Sequence, residues 1–449
     1  MNQTINFRRG LDLNLQGSIA PGTVIKSVAA NKVAIIPDDF PGFIPRLTVK
    51  EGDSIQAGNA VMQDKNTPDI CLVSPISGVV KHVVRGERRK ILRVVIESDA
   101  VTKPAAEGSP LKYSGAQELK LALMRHGLWA LMRQRPYDII PDADTAPRDI
   151  FITCFDSSPL APDLDNEVEG KNAEIAAAIK ALLQLTNGNI YMSVRADSNI
   201  TVPDGAKKVV VNGPHPAGNA GVQAAAIAPV NKGETIWTLD VVTLARIGSL
   251  LINGKVDWSA TVAVTGSEIK EPCLVKTTAG ASVADLLTDN IKNTDKHIRI
   301  ISGNVLTGHT VGNDGFLRYP YRQITVIPEG DDVDEFMGWA SLSPSKMSVN
   351  RSFPSRLLPK RKFSPDARLL GGRRAMIMSG EYDKVLPMDI LPEYLIKAII
   401  SRDIDKMEAL GIYEVAPEDF ALCEYVDPSK LELQKIVRQG LDYLRKELD

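Results

Sequence analysis

The sequence is poor in the residues that hold metals, clusters and disulfides. Its four cysteines, Cys71, Cys154, Cys273 and Cys423, lie far apart, and neither CxxC nor CxxxC occurs. This spacing argues against zinc sites, iron–sulfur sites and disulfide frameworks. The five histidines show no pairing at metal-ligand spacing either. We therefore expect no metal and no cluster on this chain, and reduced thiols in the cytosol.

Nucleotide-binding motifs are missing as well. The chain has 33 glycines, yet no Gly-x-Gly, so the dinucleotide-binding fingerprint is absent. Residues 303–310 have the glycine spacing of a Walker A loop, but His309 occupies the lysine position and no helix is predicted after it. Neither GxSxG nor HExxH occurs. The sequence therefore carries no recognisable catalytic motif.

Long apolar runs and an excess of one charge are also absent. No window approaches the roughly 18 apolar residues of a membrane-spanning helix, and the N-terminus lacks the apolar region of a secretory signal. Lys and Arg (53) nearly balance Asp and Glu (55), so no global field attracts nucleic acid. A length of 449 residues with 44% hydrophobic residues suggests three or four domains.

Residues 1–100 have the pattern of a small β domain. Short alternating runs rich in β-branched residues are separated by glycine and proline turns. The turn at residues 51–53 and the corner at residues 74–78 resemble those of lipoyl-like barrel-sandwich hybrid domains, where glycine supplies positive φ. Lys65 invites comparison with the modified lysine of such domains, but Pro68 interrupts the hairpin. We therefore expect Lys65 to be a solvated loop lysine.

Residues 101–258 alternate between strand and helix patterns, which predicts a Rossmann-like α/β domain with a mostly parallel sheet. The predicted strands are 150–155, 190–194 and 208–211, and the predicted helices are 121–134, 172–185 and 241–251. Within this domain, residues 211–230 are rich in small residues around His215. Two interpretations stay open for that loop: close approach to a ligand or a neighbouring protein, and a packed connection.

The remaining residues predict two further domains. Residues 259–328 resemble the β-grasp module called SLBB, with strands at 260–264, 272–277 and 297–301 and a helix at 282–287 capped by Ser282. Residues 329–449 form a basic linker and a C-terminal helical domain, with helices at 392–401, 403–410, 418–423 and 428–448. Residues 351–374 hold eight basic residues and one acid, Asp366. That stretch is either a docking surface for an acidic partner or a membrane, or a solvated loop.

Six motifs in order resemble those of the A subunits of sodium-translocating NADH:quinone reductases, and the resemblance covers essentially the whole chain. They are GLDLNLQG, SPISGVV, NGPHPAG, ISGNVLTG, LPMDILP and EALGIYEVAPEDFALCEYVDPSK. That family is itself similar to the C subunit of the Rnf complex and to the flavin subunit of respiratory complex I. These relatives hold flavin and nicotinamide on a glycine-rich loop, and a cluster on closely spaced cysteines.

The chain departs from those relatives at both redox sites. In the place of the flavin loop it has only Gly127, followed by the bulky Leu128, Trp129, Leu131 and Met132. Near the C-terminus it keeps Cys423 alone, and Asp427-Pro428 stands where a cluster binder is expected to have Cys-Pro. The resemblance therefore implies a redox fold without a prosthetic group of its own.

The resemblance also implies a place and a role. It predicts a peripheral subunit on the cytoplasmic face of the bacterial inner membrane, docked on membrane subunits, with the flavins and NADH bound elsewhere in the complex. The chain would contribute to ubiquinone access and to assembly. A quinone needs an apolar, aromatic-lined cleft with a few donors, and the candidate residues are His126, Trp129, Met132, Arg133 and His215.

Less specific interpretations stand beside this one. The five candidates are also compatible with helix packing and surface arginines. The chain as a whole is compatible with a purely structural docking scaffold, and with a remote relative that still binds NADH or flavin. The missing Gly-x-Gly counts against the last of these.

Overall fold

A computed structural model describes residues 3–99, 108–292, 295, 297–331, 343–344, 346–349, 353–358 and 360–448. Part of the predicted linker, including residues 332–342, 351, 352 and 359, lies outside the described residues. The chain forms a barrel-sandwich hybrid, an α/β domain, a β-grasp domain and a C-terminal helical domain, which confirms the predicted fold class.

The strands, in chain order, are β1 Gln3–Asn6, β2 Lys26–Ser27, β3 Lys32–Ile35, β4 Pro45–Leu47, β5 Ser54–Ile55, β6 Ala60–Asp64, β7 Cys71–Val73, β8 Gly78–Arg85, β9 Ile91–Glu97, β10 Arg133–Arg135, β11 Asp149–Thr153, β12 Ile190–Val194, β13 Ala206–Asn212, β14 Ile236–Asp240, β15 Ser259–Thr265, β16 Cys273–Thr278, β17 Ile298–Ser302, β18 His309–Val311 and β19 Gln323–Pro328.

The α-helices are α1 Ala116–Arg125, α2 Leu164–Glu167, α3 Asn172–Leu182, α4 Ala220–Ile227, α5 Val241–Asn253, α6 Val283–Leu287, α7 Tyr382–Val385, α8 Pro392–Ser401, α9 Ile404–Ala409, α10 Ala421–Val426 and α11 Leu433–Leu448. Short 3-10 turns at Pro37–Asp39, Trp129–Leu131 and Pro417–Phe420 connect several of these elements.

The α/β domain is built on a six-stranded sheet in the order β1-β13-β12-β11-β14-β10. All neighbours are parallel except β10 and β14, as the strand–helix alternation predicts. Helices α3 and α5 pack together and cover one face, which explains the near-continuous apolar runs of the central strands. After β11, the chain forms β12 on one side of it, whereas the later strand β14 pairs with the other side of β11. The strand order therefore reverses between β11 and β14.

The barrel-sandwich hybrid consists of two antiparallel sheets, in the orders β3-β9-β8-β5 and β4-β6-β7. Its core side chains, including Val61, Met62 and Val80, have no exposed surface. They belong to the same apolar cluster as α1 and the Trp129–Leu131 turn of the α/β domain. These two domains thus share one continuous core.

The β-grasp sheet has the order β18-β17-β19-β15-β16-β2, with α6 packed on it. Ser282 stands at the N-cap of α6 as predicted, but its side chain makes no capping hydrogen bond. Two strands enter neighbouring domains from the N-terminus: β1 pairs with β13, and β2 pairs with β16. The predicted boundaries at 100, 258 and 328 stay predictions, and within residues 1–100 these two strands pair outside the barrel-sandwich hybrid.

The predicted helix at 121–134 is wrong over its second half. Helix α1 ends at Arg125, because Gly127 adopts φ +75° and lies against the barrel-sandwich hybrid. A Cβ atom added to Gly127 would stand 2.9 Å from Cγ2 of Val73. The chain then turns through Trp129–Leu131 into the edge strand β10. The helix therefore ends here because of a contact with another domain, which the local sequence pattern does not reveal.

We expect Gly127→Ala to destabilise the chain by about 2–4 kcal/mol, since it combines a left-handed backbone with overpacking against Val73. The urea midpoint of the full chain measures this effect. Gly233 also has positive φ (82°) but would meet no atom within 4 Å, so Gly233→Ala is the matched control for the backbone term alone. Equal losses in both variants would contradict the packing argument.

The C-terminal domain surrounds a core formed by α7, α8, α10 and α11. Asp403 caps α9 by accepting a hydrogen bond from Lys406 N at 3.1 Å. Helix α11 begins at Leu433, five residues later than predicted, because the buried Asp427 accepts from Ser429 N and Leu431 N and holds a turn there. None of the helices in the described ranges combines the length and apolar composition that a bilayer crossing requires.

Candidate functional site

A cleft opens where the barrel-sandwich hybrid, the α/β domain and the β-grasp domain meet. We call it the three-domain cleft; the centre of a water molecule can move through about 90 Å³ of it. Its lining residues lie within 34–40, 72–75, 127–131 and 317–322, and they also include Arg246, Trp258, Ala260, Ala279 and Gly280. Clefts at domain junctions are common ligand sites.

One wall of the cleft is aromatic. Phe40 and Tyr319 stack with ring centroids 5.3 Å apart and planes inclined by 13°. The Arg133 guanidinium lies 5.6 Å from the Tyr319 ring centroid. The Tyr319 hydroxyl donates to Leu131 O at 2.5 Å, so the ring is fixed at both its face and its tip. This wall offers a rigid, flat, apolar surface.

The second feature is a buried ion pair between two domains. Asp39 lies at the end of a 3-10 turn and is 8% exposed. Its carboxylate accepts from Arg318 Nε at 2.6 Å and from Tyr319 N at 3.0 Å, and its carbonyl accepts from Arg133 Nη2 at 2.7 Å. Burial raises the pKa of Asp39 to about 6, although Arg318 opposes that rise. Asp39 therefore ties all three domains together through a carboxyl group whose pKa is raised by burial.

The third feature is a cationic end formed by Arg246 and Arg322. Arg246 donates to Asp257 O and Ser259 O at 3.2 and 3.1 Å, and lies 5.5 Å from the Trp258 ring centroid. Arg322 is paired with Asp240, the last residue of β14. Burial and the neighbouring Arg322 lower the pKa of Arg246.

This end of the cleft lies beside the point where the strand order of the α/β sheet reverses. Asp240 is at the carboxyl end of β14, and it caps α5 by accepting from Thr243 N at 2.7 Å. Ligands of open α/β sheets bind outside the carboxyl ends of the strands at such a reversal. The cleft therefore combines a position favoured for ligands with apolar walls and guanidinium donors.

These features suit one class of ligand. A planar, uncharged ring fits an aromatic wall, and its carbonyl oxygens accept hydrogen bonds from arginine side chains. Asp39 supplies a carboxyl group able to change protonation near pH 6.

Two of the five candidate residues from the sequence lie in the core. Trp129 and Met132 have no exposed surface. The Trp129 indole donates to Pro141 O at 2.8 Å and meets Trp237 edge-on, with centroids 5.0 Å apart. Two other residues of the same segment, Gly127 and Leu131, line the cleft.

His126 and Arg133 lie at the ends of the same segment. His126 is half-buried at the C-cap of α1, where its Nδ1 lies 2.8 Å from Ala122 O. Arg133 reaches the cleft indirectly, through the Asp39 carbonyl and the Tyr319 ring. The structure therefore brings Arg133 to the site and leaves His126 in a helix-end contact.

His215 lies away from the cleft, in the loop after β13. It is 3% exposed, its Nδ1 is 3.0 Å from Ser157 Oγ, and its backbone N donates to Asp12 Oδ1 at 2.8 Å. Its carbonyl accepts from Leu11 N at 2.8 Å. Burial lowers the pKa of His215, which favours the neutral ring. The small residues of this loop thus pack against the chain's own N-terminal segment.

Most of the cleft residues escaped the sequence reasoning. They are Asp39, Phe40, Arg246, Trp258, Arg318, Tyr319 and Arg322. A signal was present in RYPYRQ at residues 318–323, where arginine alternates with tyrosine between two strands. The partners of this segment, however, are distant along the chain: Asp39, Leu131 and Asp240 lie 279, 188 and 82 residues away.

The other sequence candidates, Cys423, residues 303–310 and Lys65, lie outside the three-domain cleft. Within the described ranges, no group of three His, Cys, Asp or Glu side chains is arranged to hold a metal ion. Cys423 is fully buried, and burial raises its pKa well above the usual value. Residues 303–310 lead from β17 directly into β18, and Lys65 is exposed.

Models of three protein domains match successive parts of the chain. They are the NqrA N-terminal barrel-sandwich hybrid domain over residues 5–99, the NqrA second alpha/beta domain over 114–256, and the NQRA C-terminal domain, of SLBB type, over 261–313.

Curated relatives match the chain over nearly its full length. The A subunit of the Na(+)-translocating NADH-quinone reductase of Rhodopirellula baltica is 34% identical, covering 98% of each chain. That of Hahella chejuensis is 35% identical, covering 99% of this chain and 100% of the relative. Among solved structures, an NAD+-reducing [NiFe]-hydrogenase chain matches with a TM-score of 0.38 and 12% identity, covering 74% of this chain and 61% of its own.

Proposed function

Because the chain belongs to the family of A subunits of Na(+)-translocating NADH-quinone reductases, we propose that it is the peripheral subunit that binds ubiquinone in the three-domain cleft. It contributes to quinone access and assembly, and carries no prosthetic group of its own. NADH and the flavins belong to other subunits, and the chain docks on membrane subunits at the cytoplasmic face of the inner membrane.

The observation that carries this proposal is the pairing of a flat aromatic wall with guanidinium groups in one cleft. Phe40 and Tyr319 provide the wall, and Arg246 and Arg318 provide N–H donors beside it. A quinone ring presents an apolar face and two acceptor oxygens, and it carries no donor of its own. The cleft therefore offers groups that match both the face and the oxygens of a quinone.

The side chains of the segment that follows α1 support the absence of a resident flavin, because they fill the space that a flavin would need. Leu128, Trp129 and Met132 have no exposed surface, and they occupy the space between the barrel-sandwich hybrid and the α/β sheet. Gly127 contacts Val73 rather than open solvent. A flavin there would have to displace the shared core of two domains.

A quinone titration followed by tryptophan fluorescence tests the proposal. Trp258 lies at the cleft, so a short-chain ubiquinone should quench its emission saturably. Filling the cleft with Ala279→Phe is expected to weaken binding at least about tenfold, which corresponds to roughly 1.4 kcal/mol. Ala177→Phe on α3 is the matched control, since Ala177 is also half-buried but does not line the cleft.

Two outcomes would contradict the proposal. If quinone produces no saturable quench while the chain still assembles with its partner subunits, the structural scaffold becomes the better interpretation. If the purified chain shows visible flavin or cluster absorption bands, it holds a prosthetic group and that part of the proposal fails. Equal binding by Ala279→Phe and wild type would place the quinone elsewhere on the chain.

A further inference from the structure

A continuous basic segment crosses the surface from the N-terminal segment to helix α8. We call residues 360–380 the basic strap. Backbone hydrogen bonds fix it along its length: Phe363 N to Asn14 O at 2.8 Å, Ala367 N to Pro328 O at 3.0 Å, Arg374 N to Ser429 O at 2.9 Å and Gly380 N to Glu393 Oε1 at 2.7 Å. The main chain is therefore held in place, while most of its side chains face solvent.

The strap carries a strong local charge in a chain that is nearly neutral overall. Its basic residues are Lys360, Arg361, Lys362, Arg368, Arg373 and Arg374, against acidic Asp366. Arg368 is paired with Asp366. Lys360, Arg361, Lys362 and Arg374 enter no ion pair with the part of the chain that the structure describes, so four positive charges face solvent uncompensated.

Large apolar side chains lie exposed among these charges. Leu369, Ile377 and Met378 are 55%, 56% and 40% exposed within the strap. Leu391 and Tyr394 are 54% and 57% exposed at the start of α8, beside Glu393, to which the end of the strap is hydrogen-bonded. Single exposed apolar residues are ordinary, but five along one charged path form a surface feature.

We propose that the basic strap binds the anionic headgroup surface of a lipid bilayer, with its exposed apolar side chains reaching toward the acyl region. Stable attachment to a membrane needs two signals, and the strap carries both: a polybasic patch and apolar anchors. Protein interfaces are also enriched in arginine and methionine, but their centres are depleted of lysine and built on aromatic anchors in buried pockets. The strap is an extended, lysine- and arginine-rich segment with aliphatic anchors. This inference goes beyond quinone binding and does not depend on it.

Vesicle flotation of the full chain tests the proposal. Wild type should float with phosphatidylcholine vesicles that contain phosphatidylglycerol, and should be released by high salt. Each basic side chain near an anionic surface contributes roughly fivefold to binding. The triple variant Lys360→Gln, Arg361→Gln, Arg374→Gln should therefore bind about 100-fold more weakly. Lys50→Gln, Arg88→Gln, Arg89→Gln in the barrel-sandwich hybrid is the control with the same charge change.

The apolar contribution is tested separately by Ile377→Ser, with the more exposed Val24→Ser as its control. All of these side chains face solvent, so each variant should keep the thermal midpoint of wild type. Several results would overturn the proposal: no flotation of wild type, binding to phosphatidylcholine alone, or equal losses in the strap and control triples. Loss of co-purification with detergent-solubilised membrane subunits, without any vesicle binding by wild type, would assign the strap to a protein contact instead.

Discussion

Replacing Arg135 with methionine is expected to lower the free energy of unfolding by about 3–5 kcal/mol, because the buried carboxylate of Asp419 loses its positively charged partner. Arg135 is the last residue of the edge strand β10 and is 1% exposed. Its Nη1 donates to Asp419 Oδ2 at 2.7 Å and to Glu414 O at 2.6 Å. Asp419 is also 1% exposed. This pair joins the α/β domain to the C-terminal helical domain.

The Arg135 guanidinium also lies beside a second carboxyl group, with its Nη2 3.5 Å from Glu418 Oε1. Gly221, in the first turn of α4, lies flat against the guanidinium, and a Cβ atom there would overlap Nη2 of Arg135. Asp419 also accepts from Ala416 N at 2.9 Å, which holds the carboxylate in place. Without Arg135, the Asp419 carboxylate would keep the hydrogen bond from Ala416 N but would lose the positive charge beside it.

Urea unfolding of three variants separates the charge effect from the loss of packing. Arg135→Met should be the most destabilised, whereas the double variant Arg135→Met, Asp419→Leu should recover much of the loss, since no buried charge remains. Arg373→Gln is the control: its pair with Glu432 is exposed and contributes at most about 1 kcal/mol. A loss of less than about 1 kcal/mol in Arg135→Met would show that the carboxylate escapes to solvent or becomes protonated at little cost.

The local elements were largely predictable because their signals are local. The strand Ile190–Val194 and the helix Pro392–Ser401 match the sequence prediction in both bounds. The strand is an apolar run of a buried parallel sheet. The helix has proline in its first turn and ends at Arg402, which adopts the left-handed conformation. Each of these features is contained within about twelve residues of sequence.

The long-range arrangement was not predictable in the same way. Strand β1 pairs with β13, which lies about 200 residues later, and neither strand's sequence indicates which strand it pairs with. The helix prediction at 121–134 failed at Gly127, whose left-handed backbone is required by Val73 of another domain. The hydrophobic pattern of a helix or strand indicates which of its faces is apolar, but it does not indicate which other element packs against that face.

The candidate site shows the same limit more sharply. Its ion pair joins Asp39 to Arg318, and its aromatic stack joins Phe40 to Tyr319, so both contacts span about 280 residues. No spacing rule connects such positions. The sequence pointed to the segment around Trp129 because that is where a flavin loop would lie, and the cleft does border this segment at Leu131. The side chains that line the cleft, however, come mainly from the other two domains.

Arg318→Gln is expected to destabilise the chain in a manner that depends on pH. In the native chain the pKa of Asp39 is raised to about 6 from an ordinary value of 3.8. Since the folded state binds the proton more tightly than the unfolded state, the contribution of Asp39 to stability falls as pH rises from about 4 to 6. A shift of this size corresponds to roughly 3 kcal/mol across that window. Removing Arg318 removes a group that lowers this pKa, so the variant should show a still larger loss as pH rises.

The measurement is the urea midpoint of wild type and Arg318→Gln between about pH 5 and about pH 8. At the upper end the variant holds an unpaired buried carboxylate, and a loss of about 3–5 kcal/mol is expected. At the lower end the carboxyl group is largely protonated in both proteins, so most of that difference should vanish. A difference that stays constant with pH would mean that Arg318 acts through packing alone. Because Asp39 and Tyr319 both border the cleft, quinone affinity should weaken along with stability at high pH and recover at low pH, which would link the ion pair between domains directly to the binding site.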